Sequence, residues 1–207
     1  MADPAPRSPL ARHRHLLAAA TRASRGAVRL AEIPFLTLLD VRLDPKGAAA
    51  GAVGLALDLH LPVQPHTVAR SGDLTALWLG PDEWLLVAPP GGERRLERRI
   101  RDAAGDEPVS VVDVSAQHTT LLVSGPRARD LLAHGCALDL HPRVFGPGRC
   151  ARTTLGRTQV VLIAREPHRA GLWVLVRSSY AGYLTDWLLD AATEYLRDTA
   201  APYGATP

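Results

Sequence analysis

The densest group of chemically capable side chains lies in one short stretch of the chain. Imidazole, thiolate and carboxylate groups are the ligands that zinc takes in proteins, so the stretch could bind a metal. It has no Cys-x2-Cys pair, and a histidine two residues from a cysteine cannot easily reach the thiol to activate it. We therefore favour solvated or packed loop residues, and keep zinc as an alternative. The residues are His134, Cys136, Asp139 and His141, with Cys150 further on.

Two further patterns resemble ligand-binding motifs but lack features that those motifs require. Gly47, Gly51 and Gly54 follow a predicted strand, but the Gly-x-Gly-x2-Gly spacing of a dinucleotide loop is absent. The arginine-rich segment 94–101 could bind phosphate or RNA, yet glutamates interleave with the arginines and no aromatic pair stands on a predicted central strand. A solvated helix face, partly paired between Glu97 and Arg101, is the better interpretation. No carboxylate pair or Ser/His/Asp set stands out.

Charge placement narrows the classes of partner. The chain has 207 residues, 24 Lys+Arg, 21 Asp+Glu and a pI near 9.2. Residues 1–29 carry +5 and residues 30–207 carry −2, so the basic pI belongs to the N-terminal segment and a nucleic-acid-binding face is not expected. The single lysine, Lys46, excludes a Walker loop and leaves one weak Schiff-base candidate.

Hydropathy and cysteine content point to a soluble chain in a reducing compartment. Hydrophobic residues make up 46% of the sequence, and no apolar run approaches the roughly 18 residues of a membrane span. Two cysteines could form at most one disulfide bond. An Arg-rich start also resembles a transit peptide, but Ser8-Pro9 is typical of a helix start, so we expect a cytoplasmic protein without a membrane segment.

Hydrophobic periodicity and turn signals predict a first α+β unit with the element order βαββαβ. Asp73–Leu79 and Trp84–Val87 flank Gly80-Pro81-Asp82-Glu83, a proline turn that predicts a hairpin. The remaining elements are a strand at 28–43, a helix at 46–60, an amphipathic helix at 92–104 and a strand at 109–114. This order is ferredoxin-like, with helices on one face of an antiparallel sheet.

A second, less regular α+β unit follows in the sequence. It contains a strand at 119–124, a helix at 125–133, three strands at 149–155, 158–165 and 171–177, and a last helix at 180–197. We therefore predict an α+β fold of two ferredoxin-like lobes in one compact unit. Its parts are a basic helical arm at 1–29, a first lobe at 30–114, a second lobe at 115–197 and a flexible tail at 198–207.

Several short motifs, in order and at consistent spacing, resemble the gamma subunits of heterotetrameric sarcosine oxidase over about residues 8–197. Each motif is modest alone, and together they are specific. They are Leu-Gly-Pro-Asp-Glu-Trp-Leu-Leu-Val at 79–87, Val-Asp-Val-Ser-Ala-Gln at 112–117, Val-Ser-Gly-Pro at 123–126 with Asp-Leu-Leu at 130–132, the Gly135–Phe145 segment, Arg-Ser-Ser-Tyr at 177–180, and Trp187 to Ala191.

The resemblance implies a non-catalytic subunit with alpha, beta and delta partners. The complex would oxidise sarcosine to glycine, producing hydrogen peroxide and either formaldehyde or 5,10-methylenetetrahydrofolate. It would use FAD, FMN, NAD, tetrahydrofolate and zinc in other subunits, so this chain is expected to bind no cofactor or metal and to contain no catalytic residue. The resemblance also implies a shortened folate-binding aminomethyltransferase (T-protein) fold.

One segment departs from the T-protein pattern. Those enzymes present an acidic residue near the strand that corresponds to 149–155, where this chain has Arg149, Cys150, Arg152, Thr153 and Thr154 but no carboxylate. The missing carboxylate supports an assembly role. We expect the Arg-rich arm and exposed tryptophans to dock onto partner subunits. The tryptophans of the chain are Trp78, Trp84, Trp173 and Trp187. A freestanding folate-binding transferase or RNA-maintenance protein is the alternative.

Overall fold

The fold alternates helices with antiparallel strands. The structure is a computed structural model that describes residues 6–165 and 171–196. Its helices are α1 (Arg14–Ala23), α2 (Ala48–Leu57), α3 (Glu93–Ala104), α4 (Ala128–Ala133) and α5 (Ala181–Ala192). Its strands are β1 (Arg29–Ile33), β2 (Thr37–Leu43), β3 (Val68–Ser71), β4 (Leu74–Gly80), β5 (Glu83–Ala88), β6 (Val109–Asp113), β7 (His118–Ser124), β8 (Cys150–Leu155), β9 (Thr158–Ala164) and β10 (Leu172–Arg177). The predicted tail at 198–207 lies outside the described residues.

Two five-stranded antiparallel sheets carry these elements. The first has the order β3-β4-β5-β2-β6, and the second has the order β1-β7-β10-β9-β8. Without β3, which the sequence did not predict, the first sheet has the ferredoxin-like order. The predicted hairpins form at β4–β5 and at β8–β9, where Gly156 takes a φ of 59°. The α+β class of antiparallel sheets with helices on one face is confirmed.

The two sheets stack face to face, and helices cover their outer faces. Alternation along each strand explains this, because successive side chains point to opposite faces. In β2, Leu38 packs between the sheets while Leu39 and Val41 pack under α2 and α3. A separate core lies between the second sheet and α1, α4 and α5. The sheet-to-sheet layer, which includes Leu77, Leu85 and Ile163, joins the lobes.

The predicted strand at 28–43 is wrong in one respect, because two strands in different sheets replace it. Phe35 breaks the run at a φ of 62°, and the chain passes from β1 to β2 there. Since β1 pairs with β7, residues 29–33 belong to the second sheet. The domain boundary between residues 29 and 30 therefore does not follow the structure.

The described part of the N-terminal arm also belongs to the second lobe. Leu10 and Leu17 are fully or nearly fully buried in the core beneath the second sheet. The hydroxyl of Ser8 donates to the carboxylate of Glu32, which also accepts from the hydroxyl of Thr119 at 2.7 Å. The described part of the predicted helical arm is thus anchored on its own chain along its apolar side. Its arginines remain exposed at positions 7, 12, 14, 22, 25 and 29.

Candidate functional site

A cavity lies between the two sheets, at the end where polar side chains replace the apolar layer. Its volume is about 450 Å³. Apolar side chains such as Leu85 and Leu175 form part of its wall. Five strands and the turn before β7 supply its polar lining, which consists of Asp40, Gln117, His118, Arg152, Thr153, Thr154, Gln159 and Arg177. A partly apolar cavity with converging polar groups is the first place to seek a functional site.

A charged cluster at this cavity connects the two sheets. Glu83, the last residue of the predicted turn, begins β5, and its side chain is only 8% exposed. Arg42 on β2 donates from Nη2 to Glu83 Oε2 at 2.7 Å. Arg152 on β8 donates to both carboxylate oxygens of Glu83, from Nη1 to Oε2 at 3.2 Å and from Nη2 to Oε1. The bidentate pair therefore crosses from one sheet to the other.

Asp40 lies beside Glu83, and the two carboxyl groups have opposite pKa shifts. Burial and the charge of Glu83 raise the pKa of Asp40. For Glu83, burial alone would raise the pKa, but the hydrogen bond and charge of Arg152 and the charge of Arg42 outweigh it and lower the pKa. At neutral pH Glu83 is therefore held as a carboxylate, while the carboxylate form of Asp40 is disfavoured by the fold.

The two shifts predict opposite pH dependences of stability. A lowered folded-state pKa gives Glu83 a stabilising contribution that is present above its unfolded-state pKa and lost as the pH falls through the folded-state value. Glu83→Gln should therefore lower the free energy of unfolding by about 1–3 kcal/mol at pH 7, and much less near pH 3. Asp40→Asn should raise it at pH 7, and this gain should vanish below about pH 4.

Urea denaturation at pH 7 and pH 3 measures both effects, and each variant serves as the isosteric control of the other. A cost of Glu83→Gln that is the same at both pH values would show that the charge of Glu83 does not contribute to stability.

His118 also reaches the cavity. Burial lowers the pKa of this imidazole, and the charges of Arg177 and Arg152 lower it further, against a hydrogen bond to the Val114 carbonyl that raises it. The ring is therefore neutral at physiological pH. The hydroxyl groups that line the cavity belong to Thr153 and Thr154, and the hydrogen bond of the His118 ring goes to the Val114 carbonyl instead.

The four residues considered as an alternative zinc site do not converge. His134 Nε2 lies 2.9 Å from Glu194 Oε2, and Cys136 is buried in the core under the second sheet. Asp139 Oδ1 accepts from the backbone N–H of His141 at 2.8 Å, which is a local turn contact. Within residues 6–165 and 171–196, no group of three or more His, Cys, Asp or Glu side chains could hold a metal ion.

Cys150 lies in the layer between the sheets, apart from Cys136, and both thiols are free. Its Sγ donates to the carbonyls of Thr67 and Trp78 at 3.4 and 3.5 Å. Burial raises the pKa of the Cys150 thiol to about 11.

Because the thiolate is the reactive form, Cys150 should react with a thiol reagent at pH 8 at least ~100-fold more slowly than in urea-unfolded protein. Absorbance of the released thiolate dye over time measures both rates. Cys136→Ser isolates the Cys150 signal, and a rapid native reaction of that variant would contradict the buried environment.

The segment 149–155 forms β8 and its edge of the cavity, and its own sequence holds no carboxylate, as noted above. Glu83, at the start of β5, accepts a hydrogen bond from Arg152 on this strand. Sequence reasoning missed this pair and the Asp40–Glu83 pair. The only indication in the sequence was an acidic residue, Glu83, at the end of a predicted turn. The neighbouring sequence does not indicate which side chains Glu83 contacts.

The tryptophans and arginines noted in the sequence have mostly structural surroundings. Trp84 is fully buried, and its indole N–H donates to the Pro62 carbonyl at 2.7 Å. Trp78, Trp173 and Trp187 are partly buried, so the expected exposed tryptophans are not present. On α3, Arg101 Nη2 pairs with Glu97 at 2.9 Å, as the spacing predicted.

No helix in the described ranges is long and apolar enough to cross a membrane.

Comparison with known proteins adds what the cavity alone does not show. The family model described as "Sarcosine oxidase, gamma subunit family" matches residues 42–194. The chain is 41% identical over 189 residues to the sarcosine oxidase subunit gamma of Arthrobacter sp, with 90% of this chain and 91% of that protein covered. The corresponding protein of Corynebacterium sp. (strain P-1) is 39% identical with the same coverage.

Solved structures agree with the sequence matches. A chain of the heterotetrameric sarcosine oxidase from Corynebacterium sp. U-96, in complex with pyrrole 2-carboxylate, matches with a TM-score of 0.86 and 34% identity, over 95% of this chain and 99% of that chain. The glycine cleavage system aminomethyltransferase T from Bartonella henselae matches with a TM-score of 0.61 and 16% identity, over 86% of this chain and 52% of that chain. The second match shows a shared fold alone.

Proposed function

Since the chain belongs to the sarcosine oxidase gamma subunit family, we propose that it is the non-catalytic gamma subunit of a heterotetrameric sarcosine oxidase. It supports assembly with alpha, beta and delta subunits. The complex oxidises sarcosine to glycine in the cytoplasm and forms hydrogen peroxide with formaldehyde or 5,10-methylenetetrahydrofolate.

The observation that carries this proposal is the near-complete match to a chain of a heterotetrameric sarcosine oxidase, at a TM-score of 0.86 and 99% coverage of that chain. Three curated relatives, all named sarcosine oxidase subunit gamma, are matched over about nine-tenths of their length. The freestanding transferase is not favoured, because the relatives carry the name of a subunit and the similarity to the aminomethyltransferase is limited to the fold.

The geometry of the cavity supports a non-catalytic role. Catalytic acids and bases must be free to exchange protons with a substrate. Glu83 is held by Arg42 and Arg152 and has a lowered pKa, so it is a poor general base. The cluster joins β5 of the first sheet to β8 of the second, which is the role of a structural ion pair. We place FAD, FMN, NAD, tetrahydrofolate and zinc in the other subunits.

The direct experiment expresses the alpha, beta and delta subunits with and without this chain. We expect the full set to yield a stable oxidase that releases hydrogen peroxide from sarcosine, and the set without this chain to yield markedly less assembled enzyme. The isolated chain should show no sarcosine-dependent peroxide formation. Equal yield and activity in both preparations would refute a role in assembly.

A further inference from the structure

Helix α2 is apolar on both of its sides. Its inner face, with Ala49, Val53 and Leu57, packs in the core of the first lobe. Its outer face carries Leu55, whose side chain is 83% exposed. The rest of that face is also apolar and exposed, and it consists of Ala48, Gly51 and Ala52.

This pattern is unusual for a helix at a protein surface. A surface helix ordinarily opposes its apolar stripe with charged or polar residues, and a helix that is apolar all round is ordinarily buried. The sequence of α2, Ala-Ala-Ala-Gly-Ala-Val-Gly-Leu-Ala-Leu, contains no polar side chain at all. Its outer face therefore has the composition of a surface that another protein covers.

Helix α3 lies against α2 and presents the opposite chemistry. The guanidinium of Arg99 donates to the Ala56 carbonyl near the C-terminal end of α2, which fixes the two helices side by side. Three further arginines, Arg94, Arg95 and Arg98, are exposed on α3. In the part of the chain that the structure describes, no carboxylate lies within ion-pair distance of these three side chains. Among the acids of α3, Asp102 is exposed, Glu97 pairs with Arg101, and Glu93 accepts from the hydroxyl of Thr37.

We propose that the outer face of α2 and the arginines of α3 together form the docking surface for another subunit of the oxidase complex. The partner's surface presents an apolar groove that receives Leu55, bordered by carboxylates that pair with Arg94, Arg95 and Arg98. A buried apolar anchor with a charged rim is the ordinary composition of a specific interface. The proposal rests on the proposed function, since it takes the partner from the same complex.

The charge of α3 argues against a second copy of this chain as the occupant. In a two-fold symmetric dimer the same patch meets itself, so the arginines of one copy would face those of the other. Like charges brought together at an interface oppose association. An acidic partner surface has no such conflict.

The test uses the full complex, purified through an affinity tag on the beta subunit. Two variants address the surface, Leu55→Glu and the double variant Arg95→Glu/Arg98→Glu. Val144→Glu is the matched control, because Val144 is 53% exposed and lies in the segment between α4 and β8. All replaced side chains are exposed, so far-UV circular dichroism and the thermal midpoint of each isolated chain should stay at wild-type values.

We expect both surface variants to reduce co-purification of this chain at least ~10-fold, while Val144→Glu co-purifies as wild type does. Co-purification of wild type should weaken as NaCl is raised, since exposed ion pairs are screened. A photo-crosslinking residue at position 55 should form an adduct with an identified partner subunit, and one at position 144 should not.

Wild-type stoichiometry of Leu55→Glu in the complex would overturn the docking surface and leave the proposed function intact, as would an adduct at position 55 with a second copy of this chain. Absence of the wild-type chain from the complex would instead remove the proposed function and the docking surface with it.

Discussion

Replacing Leu10 and Leu17 together by alanine is expected to lower the free energy of unfolding by about 5 kcal/mol or more. Each side chain is buried in the core between α1 and the second sheet. Removing a buried leucine side chain costs about 2–5 kcal/mol through lost burial and the cavity that remains. A loss of this size approaches the whole stability of an ordinary domain, so the double variant should be largely unfolded at 37 °C.

Leu16→Ala provides the matched control for this prediction. Leu16 neighbours Leu17 on α1, but it is 40% exposed, so its loss should cost less than about 1 kcal/mol. Urea denaturation followed by far-UV circular dichroism measures both variants. If the double variant unfolded at the same urea concentration as Leu16→Ala, the N-terminal segment would be the separate arm that its charge first suggested.

The second large effect is expected at Trp84. Its side chain is completely buried beneath α2 and α3, and its indole N–H donates to the Pro62 carbonyl at 2.7 Å. Trp84→Ala should lower the free energy of unfolding by about 3–5 kcal/mol. Trp84→Phe keeps most of the apolar volume but leaves the carbonyl without this donor, so it should cost about 1–3 kcal/mol.

Trp78 provides a comparison that shows whether the loss of stability at Trp84 depends on burial or would follow the replacement of any tryptophan. It faces Trp84 across β4 and β5, but it is only partly buried and stacks edge-on against His66 at 5.6 Å between ring centroids. Trp78→Phe should cost less than Trp84→Phe in the same urea denaturation. An equal cost of the two phenylalanine variants would contradict the hydrogen bond as a source of stability.

The sequence predicts much of the first sheet because its signals are local. The turn at Gly80–Glu83 lies between two apolar runs, and it produces the β4–β5 hairpin, whose register shifts between Trp78 and Gly80. The run at 28–43 is different, because alternation shows that residues are extended but not which strand they pair with. The pairing of β1 with β7 joins residues about 90 positions apart, and no local pattern encodes it.

The candidate site was less predictable for the same physical reason. Asp40 and Glu83 come together because β2 and β5 pair with Arg42 opposite Glu83. Arg152 reaches Glu83 across the gap between two stacked sheets, 69 residues further along the chain. The positions of Asp40, Glu83 and Arg152 in the sequence follow no spacing that would indicate a shared site. Gly135 shows a related limit, because a side chain there would collide with the ring of Trp187 on α5, a contact that no local pattern indicates.

Native mass spectrometry of the purified oxidase tests the central claim, that this chain is a stoichiometric subunit of a heterotetramer. The complex, isolated through a tag on another subunit, should have a mass that includes one copy of this 22.2 kDa chain together with one each of the alpha, beta and delta subunits. An active oxidase whose mass excludes this chain would contradict the claim.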